Sequence, residues 1–294
     1  MKSYVITCCS TVDLTVEELT ALDVAYAPFH YYLDATAFED DLFTSLSASS
    51  FYKALADGAT PRTSQVNTDE FTSFFEGFLE AEQDILHIAF SSGLSGTSQA
   101  ARVAAEVLSE RYPERRIRVI DSLSASSGYG LLVTLAAKMR LEGRSFDEVA
   151  DFTEENKLKV HHWFFSTDLT FFVKGGRLSR VSGWFGTVLK ICPLLNMDAA
   201  GKLIPRLKLR GKKRAAEAAL EAFRMYAEGG EAYDGLCYLS HSDCYGDARA
   251  LADAIEAYAP ALRGKVKIFS IGPTIGCHTG PGTVALFFTG SERE

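Results

Sequence analysis

The sequence predicts an α/β protein of two domains, the first carrying a parallel sheet and the second a mixed one. Its 294 residues are about twice the usual length of one domain. Two strand, loop, helix units follow each other between Ile85 and Leu141, and successive units of that kind build a parallel sheet through right-handed crossovers. The aromatic run Trp163-Phe164-Phe165 then breaks the pattern. That change sets the expected boundary at about residue 160, giving an N-terminal domain over 1–160 and a C-terminal domain over 161–294 whose final strands could pack across it.

Taken in order, Met1 to Thr7 reads as a strand, and Thr11-Val12-Asp13-Leu14 as a turn before a short helix opened by Thr15, Val16 and the acidic Glu17 and Glu18. Asn67 followed by Glu70 forms a capping-box pattern, and Phe71, Phe74, Phe75 and Phe78 recur at helical spacing, so Asn67 to Leu79 is a helix with a buried aromatic face. Ile85 to Phe90 is a short apolar strand, Ser91 to Gly96 a Ser/Gly loop, and Ser98 to Tyr112 an alanine-rich helix. The next unit is a strand over Arg116 to Ile120, a Ser/Gly loop over Asp121 to Gly130, and a helix over Leu131 to Leu141 ended by Gly143. In the second half, Leu203 to Arg210 partly alternates apolar and basic residues, Arg214 to Ala227 reads as a helix ended by Gly229 and Gly230, and Gly235 to Ser240 as a strand. A helix over Asp247 to Tyr258 and strands over Val266 to Ile271 and Thr283 to Phe288 close the chain, the last two joined by the Gly-rich loop Gly272 to Gly282.

Composition narrows the function classes. A net charge of −8 opposes the attraction to phosphate backbones that supports nucleic-acid binding. Apolar stretches such as Ile85 to Phe90 and Thr283 to Phe288 are strand-sized, far below the roughly 20 residues of a membrane span. Met1 to Thr7 lacks the layout of a signal peptide, so a cytoplasmic protein is expected. Cys8, Cys9, Cys192, Cys237, Cys244 and Cys277 lack the paired spacing of a structural zinc site and read as reduced, mostly buried thiols. No metal and no cofactor is expected. The phosphate loop GxxxxGK[ST], HExxH and the GxSxG elbow do not occur.

Four segments could carry chemistry. Ser91-Ser92-Gly93-Leu94-Ser95-Gly96-Thr97 joins a strand to a helix, so hydroxyls and backbone N–H groups converge where the helix dipole favours an anion. The same residues also read as a Ser-rich turn with ordinary capping. Pro61-Arg62-Thr63-Ser64-Gln65 offers two adjacent hydroxyls, which as an isolated motif is turn chemistry and gains interest by converging with Ser95. His278, in the Gly-rich loop, could donate to a carboxylate or phosphate, act as an acid or base, or bond to backbone as a structural histidine. Phe171-Phe172-Val173-Lys174-Gly175-Gly176-Arg177-Leu178-Ser179-Arg180 runs aromatic residues into a cationic turn that could grip an anion or be a solvated helix end. Separately, seven basic residues between Lys202 and Arg214 form either a docking face for an acidic partner or a solvated strand edge.

In their order and spacing, Pro61 to Gln65, Ser91 to Thr97, Asp168 to Arg180, Lys190-Ile191-Cys192-Pro193-Leu194-Leu195 and Gly272 to Gly282 together resemble the DegV family across nearly the whole chain. The resemblance implies two α/β domains with a long-chain fatty acid between them, its acyl chain in an apolar tunnel and its carboxylate held by hydroxyls. Thr63 and Ser95 match the family's carboxylate-binding Thr and Ser, and Ser64 and His278 match neighbouring head-group positions. Gly96 and Arg177 are further candidate head-group contacts. In bacterial relatives that serve as the binding subunit of fatty acid kinase, a separate ATP-dependent kinase phosphorylates the presented carboxylate. Arg210, with Lys212 and Lys213, resembles the basic segment used for docking that partner. A non-catalytic lipid-binding protein of fatty acid metabolism is therefore expected, with transient contact at a membrane surface left open. One departure stands out: the family's first strand commonly ends in Asp-Ser-Thr, whereas Cys9 precedes Ser10 and Thr11 here. Two alternatives remain: a stand-alone serine hydrolase or acyltransferase using Ser95 and His278, and a lipid transporter or sensor without a kinase.

Overall fold

A computed structural model describes residues 4–178 and 191–294. The chain opens with β1 (Tyr4–Cys9), α1 (Val16–Ala21) and β2 (Val24–Ala27). Thr15 caps α1 by accepting from the Glu18 N–H, as its sequence suggests. Next come β3 (His30–Leu33), β4 (Thr36–Glu39), α2 (Ala48–Ala56) and β5 (Pro61–Ser64), then α3 (Thr68–Glu80), β6 (Asp84–Ala89), α4 (Thr97–Arg111) and β7 (Ile117–Asp121). The capping box at the start of α3 forms with both of its bonds, and Phe71 and Phe75 are fully buried. Strands β2-β1-β6-β7 make the predicted parallel sheet. Every residue of β1 and β6 is buried, as strands covered on both faces require.

The sequence reading missed the antiparallel sheet β4-β3-β5. Its four-residue strands are half exposed and carry no long apolar alternation. What fixes it is remote packing: Tyr31 on β3 is buried with Phe51 and Tyr52 of α2 and with Cys277 from near the other end of the chain.

The two halves meet on α5 (Ser126–Leu141). This helix begins five residues before the predicted Leu131, inside a segment read as a Ser/Gly loop. Its glycines serve close approach: a Cβ on Gly130 would lie 2.6 Å from the Val12 carbonyl, and one on Gly128 would strike Phe287 at 2.5 Å. From Ser126 to Thr134 every residue is buried, because α5 packs on β1 on one side and on the second sheet on the other.

After α6 (Phe146–Asn156) come β8 (Val160–Ser166), α7 (Thr170–Lys174), β9 (Leu194–Met197), β10 (Leu203–Leu207), α8 (Lys212–Tyr226), β11 (Cys237–His241), α9 (Tyr245–Tyr258), β12 (Lys267–Ser270), α10 (Pro273–Thr279) and β13 (Thr283–Thr289). The sheet order is β10-β9-β8-β13-β11-β12, antiparallel except for the β11–β12 pair, which is the predicted mixed sheet. Along β13 the period-2 alternation is clean. Val284, Leu286 and Phe288 join the core under α8 and α9, while Ala285 and Phe287 turn to the first half. The segment Gly272 to Gly282, expected to be a loop on account of its glycines, is instead helical over Pro273–Thr279, because Pro273 starts α10 at a position where a missing N–H costs nothing. Of the partly alternating segment Leu203 to Arg210, β10 takes up Leu203–Leu207. All strands of the parallel sheet end before residue 160, and the mixed sheet begins with β8 at Val160; we propose the domain boundary at about that residue on that ground. Ser179, Arg180 and Lys190 of the sequence motifs lie outside the described residues. Among the described residues, no helix is long and apolar enough to cross a membrane.

Candidate functional site

The loops after β2, β6 and β7, at the carboxyl ends of the parallel strands, face the inner surface of the mixed sheet. Between them lies a cavity of about 380 Å³, within the roughly 300–1,000 Å³ of small-molecule sites. Phe29, Phe90 and Ala125 come from those loops, and Phe164, Ala285 and Phe287 from β8 and β13. The walls are therefore mainly apolar, and α7 adds Phe172, whose ring stacks on Phe164 with centroids 5.8 Å apart.

Polar groups meet at one mouth. β5 places Thr63 half-buried and Ser64 exposed on the cavity rim, and α10 brings His278 so that Nε2 lies 2.8 Å from Thr63 Oγ1. Nδ1 of the same ring has no partner among the described residues. A ring nitrogen with no acceptor is better left unprotonated, so the favoured tautomer carries its proton on Nε2 and donates it to Thr63. The Thr63 hydroxyl proton is then free to point at a ligand oxygen. Burial, with the Arg177 charge adding to it, holds the His278 imidazole down to about 4, so the ring is neutral near pH 7.

Ser95 sits before the first turn of α4. Its hydroxyl donates to Gln65 Oε1 at 3.1 Å and accepts from the Thr97 N–H at 3.3 Å. Gly96 is the N-cap and supplies no side-chain cap, and a Cβ there would lie 2.9 Å from Gln65 Oε1. At the start of α4 the Thr97 N–H is thus taken by Ser95 and the Gln99 and Ala100 N–H groups by the Gly96 carbonyl, while the helix dipole still favours negative charge beside them. Arg177 reaches across the mouth, donating from Nε to the Leu94 carbonyl at 3.1 Å and from Nη1 to the Gly175 carbonyl at 2.7 Å. Burial lowers its pKa, and no carboxylate pairs with it among the described residues.

Thr63, Ser64, Ser95, Arg177 and His278 therefore line one cavity, with Gly96 beside it. Arg210, Lys212 and Lys213 do not line it; Arg210 is exposed on the link from β10 to α8, Lys212 and Lys213 are exposed in the first turn of α8, and the Lys212 ammonium is paired with Asp247 of α9. Ser95 and His278 do not bond to each other: each is committed to a different neighbour. Cys9 is fully buried away from the cavity lining, and burial pushes its thiol up to about 12, so a neutral group stands there. Its Sγ lies 3.9 Å from Nε2 of the buried His87. The sequence reading missed the apolar walls; the alternation Thr283, Ala285, Phe287 was their legible signal.

The fold and this site define an α/β protein, built on a parallel and a mixed sheet, with a mainly apolar cavity lined on one side by hydroxyls and an arginine. The chain belongs to the DegV family, described as a family of uncharacterised proteins, which matches residues 3–290. It is 36% identical to a DegV domain-containing protein of Clostridium perfringens over 294 residues, covering 100% of both chains. Among solved structures it resembles a DegV family protein from Thermus thermophilus described by its fatty acid binding, at 28% identity and TM-score 0.86, covering 99% of this chain and 100% of that one. A DegV lipid-binding protein from Thermotoga maritima aligns at 25% identity and TM-score 0.82, with 99% and 100% covered. The Fak B3 protein of the Streptococcus pneumoniae fatty acid kinase, loaded with linoleic acid, shares the fold at 22% identity and TM-score 0.84, with 98% and 100% covered.

Proposed function

We propose that this protein carries a long-chain fatty acid, with the acyl chain in the cavity and the carboxylate at the mouth, and presents it to a separate ATP-dependent kinase that makes the acyl phosphate. The observation that carries this reading is the division of the cavity into an apolar body and one polar mouth. About fourteen buried methylenes at roughly 0.8 kcal/mol each offer about 11 kcal/mol before ordering costs. The chain thus supplies affinity, and the hydroxyls of Thr63 and Ser95, with Arg177, set which end faces out. Ser64 and Arg177 are exposed, so a partner's nucleotide can reach the carboxylate from solvent. The engagement of Ser95 by Gln65 and of His278 by Thr63 favours binding over nucleophilic catalysis, which needs serine and histidine bonded to each other. Arg210 and Lys213 remain the docking surface we assign to the kinase.

Native mass spectrometry of the purified protein, followed by organic extraction, is expected to find one long-chain fatty acid per chain. A ligand-free mass with no uptake of added fatty acid would refute the carrier reading. Thr63→Val removes the donor to the carboxylate and leaves the His278 N–H without an acceptor. A hydrogen bond to a charged group is worth about 1.5–3 kcal/mol, so a fluorescent fatty acid should bind roughly 10- to 100-fold more weakly. Unchanged affinity in a titration would place the carboxylate elsewhere.

A further inference from the structure

We propose that Asp13 and Asp40 are positioning residues for His278, gripping the start of α10 so that the imidazole meets Thr63. α10 follows β12 of the mixed sheet, yet its first N–H groups are satisfied from the other half of the chain. The Gly272 N–H donates to Asp13 Oδ1 at 2.9 Å and the Thr274 N–H to Asp40 Oδ2 at 3.3 Å. The helix has no side-chain cap of its own, so these carboxylates answer its unpaired donors. The fit is close: a Cβ on Gly272 would lie 2.6 Å from Asp13 Oδ1.

Both carboxylates are buried, Asp13 at 3% exposure and Asp40 at 0%. No lysine or arginine pairs with either among the described residues. Burying acids without a counter-charge is costly, and a fold that wanted only a cap for α10 could use a serine. Burial raises both carboxyls above the usual range, with hydrogen bonds from Ser126 and Gly272 opposing at Asp13 and donors from Thr274, Leu42 and Ser10 opposing at Asp40. Asp13 is itself fixed from several sides. It adopts a left-handed φ of 48°, its carboxylate accepts from the Ser126 hydroxyl, and its carbonyl accepts from Ser127 at 3.0 Å.

The flank of α10 is fixed independently. Gly276 sits against Phe51 and Tyr52, and the Tyr52 hydroxyl donates to the Ile271 carbonyl at 2.7 Å. With its start held by two acids and its side held by two aromatic rings, α10 has one height and one rotation. His278, one turn on from Thr274, is then delivered to Thr63, 215 residues away in sequence. The importance of this for ligand binding rests on the fatty-acid reading; the positioning itself does not.

The test uses the full chain labelled with 15N-histidine. Long-range 1H–15N spectra report the tautomer and environment of each ring, with His278→Gln to assign that resonance and the His161 ring as an internal control. Asp13→Ala and Asp40→Ala are expected to move the His278 ring signals and to weaken binding of cis-parinaric acid roughly tenfold. Asp13→Asn and Asp40→Asn retain an acceptor oxygen and are expected to restore both. Gly272→Ala, which strains the same contact while keeping both acids, should reproduce the ring shift even if the alanine variants do not fold. Wild-type ring signals and probe affinity in the alanine variants and in Gly272→Ala would overturn the proposal, as would asparagine variants no better than alanine. A wild-type protein that takes up no probe, but whose His278 ring responds as described, would refute the fatty-acid reading and leave the positioning role intact.

Discussion

Replacing Ala285 with phenylalanine is expected to abolish binding of the acyl ligand proposed above and to stabilise the ligand-free form. Ala285 lies opposite Phe164 in the β8–β13 ladder and between Thr283 and Phe287 on the cavity face. A phenyl ring projecting from there occupies space that the acyl chain needs. Displacing about four methylenes at roughly 0.8 kcal/mol each costs about 3 kcal/mol, roughly a hundredfold in affinity. Filling the cavity also restores missing contacts in the empty protein, and cavity filling commonly adds about 0.5–2 kcal/mol. The two effects have opposite signs, which separates a blocked site from a damaged fold. Organic extraction should recover little fatty acid, and thermal melts of delipidated protein should shift upward. A full acyl load in this variant would mean that the chain does not cross Ala285. A lower melting temperature would mean that the space beside it is already filled.

The parallel sheet was legible because each of its units is local: β6, the Ser91 to Gly96 loop and α4 are contiguous, and so is the next unit. The β4-β3-β5 sheet was not, since the partners of Tyr31 are Phe51, Tyr52 and Cys277, and no local period announces packing over that separation. At the start of α5, glycine was read as punctuation when it serves close approach to Val12 and Phe287. The capping box that starts α6, Ser145 with Glu148, was fully present in the sequence and went unread. Site residues were legible as types in motifs: hydroxyls beside a helix start, a histidine among glycines. Their pairing was not, because the Thr63–His278 bond depends on where α10 docks. That docking depends on Asp13 and Asp40, which carry no motif of their own.

Acid should destabilise the ligand-free protein through its buried histidines. His87 lies wholly inside the first half, with Nδ1 2.9 Å from Thr7 Oγ1 and its ring edge-on to Phe71 and Phe75. Burial holds it down to about 3, holds His161 down to about 4, and keeps His162 well below its ordinary value. Each ring titrates near 6.5 when the chain unfolds, so the folded state favours the neutral form. The stability these groups contribute is complete above pH 6.5 and is lost progressively as pH falls towards their folded values. At pH 5 His87 and His161 should each cost about 2 kcal/mol, roughly 4 kcal/mol for the two, with His162 acting in the same direction; that is a large share of the whole stability of many domains. Asp13 and Asp40 act with the opposite sign. Their raised carboxyls bind protons before those of the unfolded chain, so acidification from neutral pH offsets part of the loss. Urea denaturation at pH 7 and pH 5 should therefore show a marked fall, and His87→Leu should reduce the slope of stability against pH by about one proton, about 1.4 kcal/mol per pH unit. Asp13→Asn should steepen the fall by removing part of the offset. A flat wild-type profile, unchanged in slope by His87→Leu, would mean that protons reach His87 without unfolding the sheet around it.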